Sequence, residues 1–281
     1  MTREYILTLS CDDRLGIVYA VSGYLTRRAG NIEDSQQFSD SSTSRFFMRV
    51  KFSSQASRDE LAVGFAEIAR EFGMEWQLVD RQDRPRVLIM ASKQGHCLND
   101  LLYRFRIGAL RGEVGAVVSN HADWRGLAEA ADVPFHHLSI TPQNKDDQER
   151  RLLDLVTQHR VDVVVLARYM QILSNSVCEK LPGRIINIHH SFLPSFKGAR
   201  PYHQAFDRGV KLIGATCHYV TADLDEGPII EQEVTRVDHA MTPADLAAAG
   251  HDLENAVLAR GLAAHLDGRI ILNGSKTVVF R

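Results

Sequence analysis

Long apolar runs are missing from this chain. Its longest, such as Val163 to Ala167, fall far short of the ~20 residues needed to cross a bilayer. The N-terminus, Met1-Thr2-Arg3-Glu4-Tyr5, carries an acid and lacks an apolar stretch of leader length, so export is not expected. Net charge is scarce too: a balance of −2 gives no global electrostatic reason to expect a nucleic-acid partner. Only four cysteines occur, Cys11, Cys97, Cys178 and Cys217, and no pair has zinc or redox spacing. Reduced, buried thiols are the expectation. No repeat or low-complexity tract is present. What remains, 44% hydrophobic and 24% charged residues over 281 positions, suits a soluble cytoplasmic enzyme of one large or two ordinary domains, without a membrane partner.

The first eighty residues read as a unit. Tyr5 to Ser10 alternates like a strand, and Ile17 to Arg28 carries a helical stripe at Ile17, Val18, Val21 and Leu25 that Gly30-Asn31 stops. Strand-like stretches follow at Glu33 to Phe38 and Arg45 to Phe52. Ser57 and Glu60 form a capping-box pair for a helix that Gly73 ends, and Glu75 to Val79 closes the unit. The order is β-α-β-β-α-β, a ferredoxin-like arrangement that implies no function by itself. At its first strand-to-helix turn stands Asp12-Asp13-Arg14-Leu15-Gly16-Ile17. The segment resembles the ACT family of small regulatory domains, which bind amino acids at a dimer interface. The resemblance implies a homo-oligomer and an effector site on Asp13, Leu15, Gly16, Asn31 and Ile32. A plain helix start, with acids and a glycine for a tight turn, is the competing reading.

The charged segment 81–85 is the expected linker, leaving 1–80 as one domain and 86–281 as the other. Strand candidates in the second are Arg86 to Met90, Gly115 to Ser119, Val161 to Ala167 and Ile185 to His189, separated by helical stretches such as Leu98 to Arg106 and Asp147 to His159. Near-continuous Val/Ile/Leu runs predict a mainly parallel, Rossmann-like α/β sheet covered by helices. Two more strand-like runs flank the loop Thr221 to Pro228, and Thr242-Pro243 opens a final helix.

Ligands in such sheets bind at the carboxyl ends of strands. The most polar end is Ile186-Asn187-Ile188-His189-His190-Ser191, where alternation sets Asn187 and His189 on one face. An amide donor and an imidazole there suit a carbonyl turning into an oxyanion. Singly, each residue has an ordinary reading as a packed histidine, a turn acid or a local cap. Adjacent strand residues face opposite ways, so neither His189-His190 nor His136-His137 is a natural metal chelate.

The run Asn187-Ile188-His189-His190-Ser191-Phe192-Leu193-Pro194-Ser195-Phe196-Lys197-Gly198 resembles the signature of the folate-dependent formyltransferases. The likeness continues through Ala199-Arg200-Pro201-Tyr202, Gly214 to Val220 and Asp223 to Ile230, and upstream through Val165 to Leu173. It implies a catalytic trio of Asn187, His189 and Asp225, supported by His218, and a folate pocket along Met170, Gln171, Leu173, Thr221 and Asp223. It implies neither a cofactor nor a metal, because the folate is the carrier of the substrate group.

Where the nucleotide-using members carry a glycine-rich phosphate loop, this chain reads Met90-Ala91-Ser92-Lys93-Gln94-Gly95-His96-Cys97-Leu98, with one glycine and bulky neighbours. That departure and the N-terminal ACT-like unit resemble the deformylase branch. The branch implies hydrolysis of 10-formyltetrahydrofolate to formate, usable in purine synthesis, and tetrahydrofolate, with methionine or glycine as effector. The alternatives are a glycinamide ribonucleotide formyltransferase and an inactive folate or amino-acid sensor. A methionyl-tRNA formyltransferase fits worse, since little chain follows the last helix.

Overall fold

In the computed structural model, which describes residues 2–194 and 201–281, the first alternating segment extends into β1 (Arg3–Asp12). It is followed by α1 (Ile17–Arg27), β2 (Asn31–Asp40), β3 (Arg45–Ser54), α2 (Arg58–Phe72) and β4 (Glu75–Asp80). The sheet order is β2-β3-β1-β4 with every neighbouring pair antiparallel, the expected ferredoxin-like topology. One helical face, Ile17, Val21 and Leu25 with Leu61, Phe65 and Ala69, packs on Leu7, Leu9, Met48, Val50 and Phe52. The capping box of α2 is complete: Glu60 N–H donates to Ser57 Oγ and Ser57 N–H to Glu60 Oε2. Gly73 ends the helix at φ 62°, a left-handed turn natural to glycine.

The next unit runs β5 (Arg86–Ala91), α3 (His96–Arg106), β6 (Glu113–Ser119), α4 (Arg125–Glu129), β7 (Phe135–His137), α5 (Lys145–Gln158), β8 (Val163–Leu166), α6 (Asn175–Lys180), β9 (Ile185–His189), α7 (Pro201–Asp207), β10 (Leu212–Tyr219), β11 (Ile229–Arg236) and α8 (Pro243–Leu266). Its seven strands lie in the order β11-β10-β9-β8-β5-β6-β7, parallel from β9 to β7 and antiparallel at β10 and β11. The order turns back between β5 and β8, the switch point at which open α/β sheets form a crevice. Motif residues 195–200 lie outside the described residues. No described helix is long and apolar enough to cross a membrane.

The expected division at 86–281 needs correction at its far end. A hairpin, β12 (Ile270–Asn273) and β13 (Lys276–Val279), follows α8. The compact units are Met1–Arg84 with Asp267–Arg281, and Pro85–Leu266. An isolated hairpin is marginal in water and needs a partner surface. Here the buried Arg49 of β3 donates to the carbonyls of Gly268 (3.0 Å) and Asp267 (3.2 Å), and Asn273 donates to Asp40 (2.7 Å).

Candidate active site

The register of β9 against β10 sets Asn187 opposite His218 and His189 opposite Thr216. Asn187 Nδ2 lies 3.1 Å from His218 Nε2, and an amide nitrogen only donates, so Nε2 accepts. The ring proton is then on Nδ1, which donates to the Tyr219 carbonyl at 2.8 Å. Burial holds the His218 pKa below its ordinary value, in keeping with this neutral tautomer. His218 thus fixes the amide of Asn187, whose second N–H has no partner among the described residues.

Two residues along the same strand face, His189 Nδ1 lies 3.2 Å from Asp225 Oδ1. His189 Nε2 is buried and has no hydrogen-bond partner among the described residues. Burial pushes the Asp225 carboxyl up, but its bond to His189 and the nearby imidazoles prevail and bring its pKa below the usual value. His218 Nε2 is 3.8 Å from the same oxygen. Asp225 itself sits at φ 58°, held there by the end of its loop. Tyr219 N–H donates to the Pro228 carbonyl, and the chain passes so close that a Cβ on Gly227 would lie 1.7 Å from the Tyr219 oxygen. Gly227→Ala must therefore move the loop. The expected result is a loss of about a hundredfold in turnover with the fold retained. Wild-type turnover in this variant would show that loop placement is not needed.

These groups line a cleft of about 220 Å³. All five residues expected to bind folate line it too: Met170, Gln171 and Leu173 on the segment after β8, Thr221 and Asp223 on the loop before Asp225. Asn187, His189, His218 and Asp225 complete the same cleft, so its nine expected residues are brought together. The expected effector residues are not. Asp13, Leu15 and Gly16 follow the end of β1 where Asp12 pairs with Arg45, whereas Asn31 and Ile32 pair with Ser53 and Phe52 at the other end of β3. Roughly 25 Å of strand separates the sets within one chain.

Sequence reasoning missed a buried polar assembly beside the cleft. Glu254 of α8, 0% exposed, accepts from Tyr202 OH (2.5 Å), lies 2.7 Å from His96 Nε2, and is 3.4 Å from Arg168 Nε. Arg168 also donates through Nε (2.9 Å) and Nη2 (2.5 Å) to Gln94 Oε1. A signal was available: the buried stripe of α8 reads Leu246, Gly250, Glu254, Val257, Leu258 and Gly261, with an acid at its centre. Cys97 lies close enough to His96 and Glu254 for a three-ligand set. Burial raises its thiol well above the ordinary value, however, and the carboxylate already has cationic and hydroxyl partners. The assembly is a charge network.

His190, left unassigned from sequence, packs edge-on against Tyr202. Burial, with Arg168 and His189 nearby, pushes its pKa down to about 3, and burial brings His265 to about 4, both from 6.5. Each is neutral when folded and protonates on unfolding below 6.5, so the unfolded chain binds more protons. Stability should therefore fall as pH drops from 6.5 towards 4. A melting temperature unchanged between pH 7 and pH 5 would contradict this.

The Formyl transferase family model matches residues 85–262. The formyltetrahydrofolate deformylase of Corynebacterium sp. (strain P-1) is 49% identical, covering 99% of this chain and 98% of that one. The crystal structure of formyltetrahydrofolate deformylase from Burkholderia mallei superposes with a TM-score of 0.96 at 48% identity, covering 99% and 100% of the two chains. Glycinamide ribonucleotide transformylase 1 from Symbiobacterium toebii gives 0.66 at 32% identity, over 70% of this chain and 95% of that one.

Proposed function

The chain belongs to the formyltetrahydrofolate deformylases of the Formyl transferase family, and from that premise we propose how its cleft releases formate from 10-formyltetrahydrofolate. The reaction is hydrolysis to formate and tetrahydrofolate. The glycinamide ribonucleotide alternative gives way, because the transformylase likeness is weaker and spans less of the chain.

The observation that carries the mechanism is the His189–Asp225 pair, 3.2 Å apart, with His189 Nε2 lacking a partner among the described residues and sharing a strand face with Asn187. The formyl oxygen takes the second N–H of Asn187 and an Nε2–H of His189. Protonated on both nitrogens, His189 also donates from Nδ1 to Asp225, making a charge-assisted set of donors. Asp225 orients a water and accepts its proton as oxygen attacks the formyl carbon. The oxyanion collapses, the bond to the carrier nitrogen breaks, and that nitrogen takes the proton back through Asp225. Met170, Gln171, Leu173, Thr221 and Asp223 hold the folate. No cofactor or metal is required by these steps. Purified protein with 10-formyltetrahydrofolate and no acceptor should release formate and tetrahydrofolate in equal amounts. Folate binding without turnover would instead favour an inactive sensor.

The N-terminal unit acts as an ACT-like effector domain in a cytoplasmic homo-oligomer. Asp13, Leu15 and Gly16 of one copy meet Asn31 and Ile32 of another, which answers their separation within one chain. Leu15, 99% exposed, and Tyr19, 79% exposed, give that contact apolar surface. Methionine or glycine should change the affinity for 10-formyltetrahydrofolate by about 5- to 150-fold, the usual range of such coupling. Leu15→Asp should abolish the response and shift the protein toward monomer in sedimentation. An unaltered response in that variant refutes the shared site.

A further inference from the structure

A second cavity of about 300 Å³ lies at the switch point of the sheet. Lys93, Asn120 and His121 are among its lining residues, and it shares Arg168, Met170 and Gln171 with the catalytic cleft. It stands at the carboxyl ends of β5, β6 and β8, where such sheets admit ligands, yet hydrolysis gives it no task. Arg168 is held there through its Nε, its Nη2 and its backbone, while its buried Nη1 has no hydrogen-bond partner among the described residues. Its guanidinium bridges Gln94 and Glu254, its carbonyl accepts from Ser92 N–H (3.3 Å), and its backbone takes φ 63°, a conformation that non-glycine residues adopt only when the surroundings enforce it.

We propose that Arg168 is a specificity-determining residue that confines the active site to water, by closing the second cavity to any primary amine that would approach the formyl carbon. The proposal rests on the hydrolase reading of the cleft. A nucleophile must come within about 3–3.5 Å of the formyl carbon in the correct line to react. Water reaches that position through the cleft, beside Asp225. An amine of useful size needs the adjoining volume, and Arg168, anchored on Gln94 and Glu254, lines both volumes where they adjoin. The charge of Lys93, which also lines the cavity, opposes accumulation of ammonium ions there. With Arg168 cut back, the amine nitrogen attacks the formyl carbon and the bond from that carbon to the carrier nitrogen breaks. The amine loses one proton and the departing tetrahydrofolate nitrogen gains one, with no change in oxidation state.

The test compares wild type, Arg168→Gly and Gln94→Ala, with 10-formyltetrahydrofolate and added hydroxylamine. Formate and formohydroxamate are both measured against tetrahydrofolate formed, after subtraction of the enzyme-free reaction. Wild type should yield formate alone. In Arg168→Gly the ratio of hydroxamate to formate should rise at least about tenfold above the wild-type ratio, a change of the size that altered pocket contacts produce. Gln94→Ala, which removes an exposed anchor of Arg168, should raise it less. A wild-type ratio in a folded Arg168→Gly overturns the proposal. If that variant does not fold, a wild-type ratio in Gln94→Ala overturns it alone. Failure of the wild type to form formate or tetrahydrofolate at all removes the hydrolase reading, and the proposal with it.

Discussion

Asp225→Asn is expected to lower kcat by about a hundred- to ten-thousandfold, the range supplied by a positioned acid–base group. KM should change by only a small factor, because the folate-facing segments are untouched. The side chain of Asp225 reaches His189 Nδ1 at 3.2 Å, so the amide keeps its size and an acceptor oxygen but loses the charge that draws a proton from water. Folding should be little affected, since the residue sits on a loop whose backbone is fixed by Tyr219, Gly227 and Pro228. The sign of the pH effect follows from the depressed carboxyl of the wild type. Its charged form persists above the ordinary carboxylate value of 3.8 and is lost only as pH falls through the lower folded value. Asp225 should therefore add stability at neutral pH that disappears in strong acid, and Asp225→Asn should lack that component. A kcat within tenfold of wild type would place the proton transfer elsewhere.

How far this site was legible in the sequence depends on the kind of interaction. Period-two alternation alone puts Asn187 and His189 on one face of β9, and the described strand keeps that register. The βαββαβ order was legible for the same reason: caps, glycine stops and alternation act over a few residues. The C-terminal hairpin carried its own signal, Asn273-Gly274 between two apolar runs, but not the information that Arg49, more than two hundred positions earlier, takes its carbonyls. Nor does any local pattern say that Gln94, Arg168, His96, Tyr202 and Glu254 converge. Those residues come from four separate parts of the chain, and only the strand order β8-β5 and the lie of α8 bring them together. The motif resemblance supplied what periodicity lacks, the association of Asp225 with a strand distant in sequence.

The largest expected loss of stability follows from that convergence. Burial would raise the carboxyl of Glu254, but the bond from His96, the charge of Arg168 and the hydroxyl of Tyr202 together hold it below its ordinary value. Its charge is thus part of the folded unit. Glu254→Gln keeps the shape and one acceptor but leaves the buried guanidinium of Arg168 without its counter-charge. Removing one member of a buried pair in this way costs about 3–5 kcal/mol. At about 2–4 °C per kcal/mol for a unit of this size, the melting temperature should fall by roughly 10 °C. The double variant Arg168→Met/Glu254→Leu should recover much of that loss, because apolar groups of similar bulk leave no charge unpaired. Strict additivity of the losses in Arg168→Met alone and Glu254→Leu alone would mean that Arg168 and Glu254 stand near each other without energetic coupling. Recovery in the double variant, joined to altered product partition in Arg168→Gly, would make one ion pair both a brace of the fold and the wall of the active site.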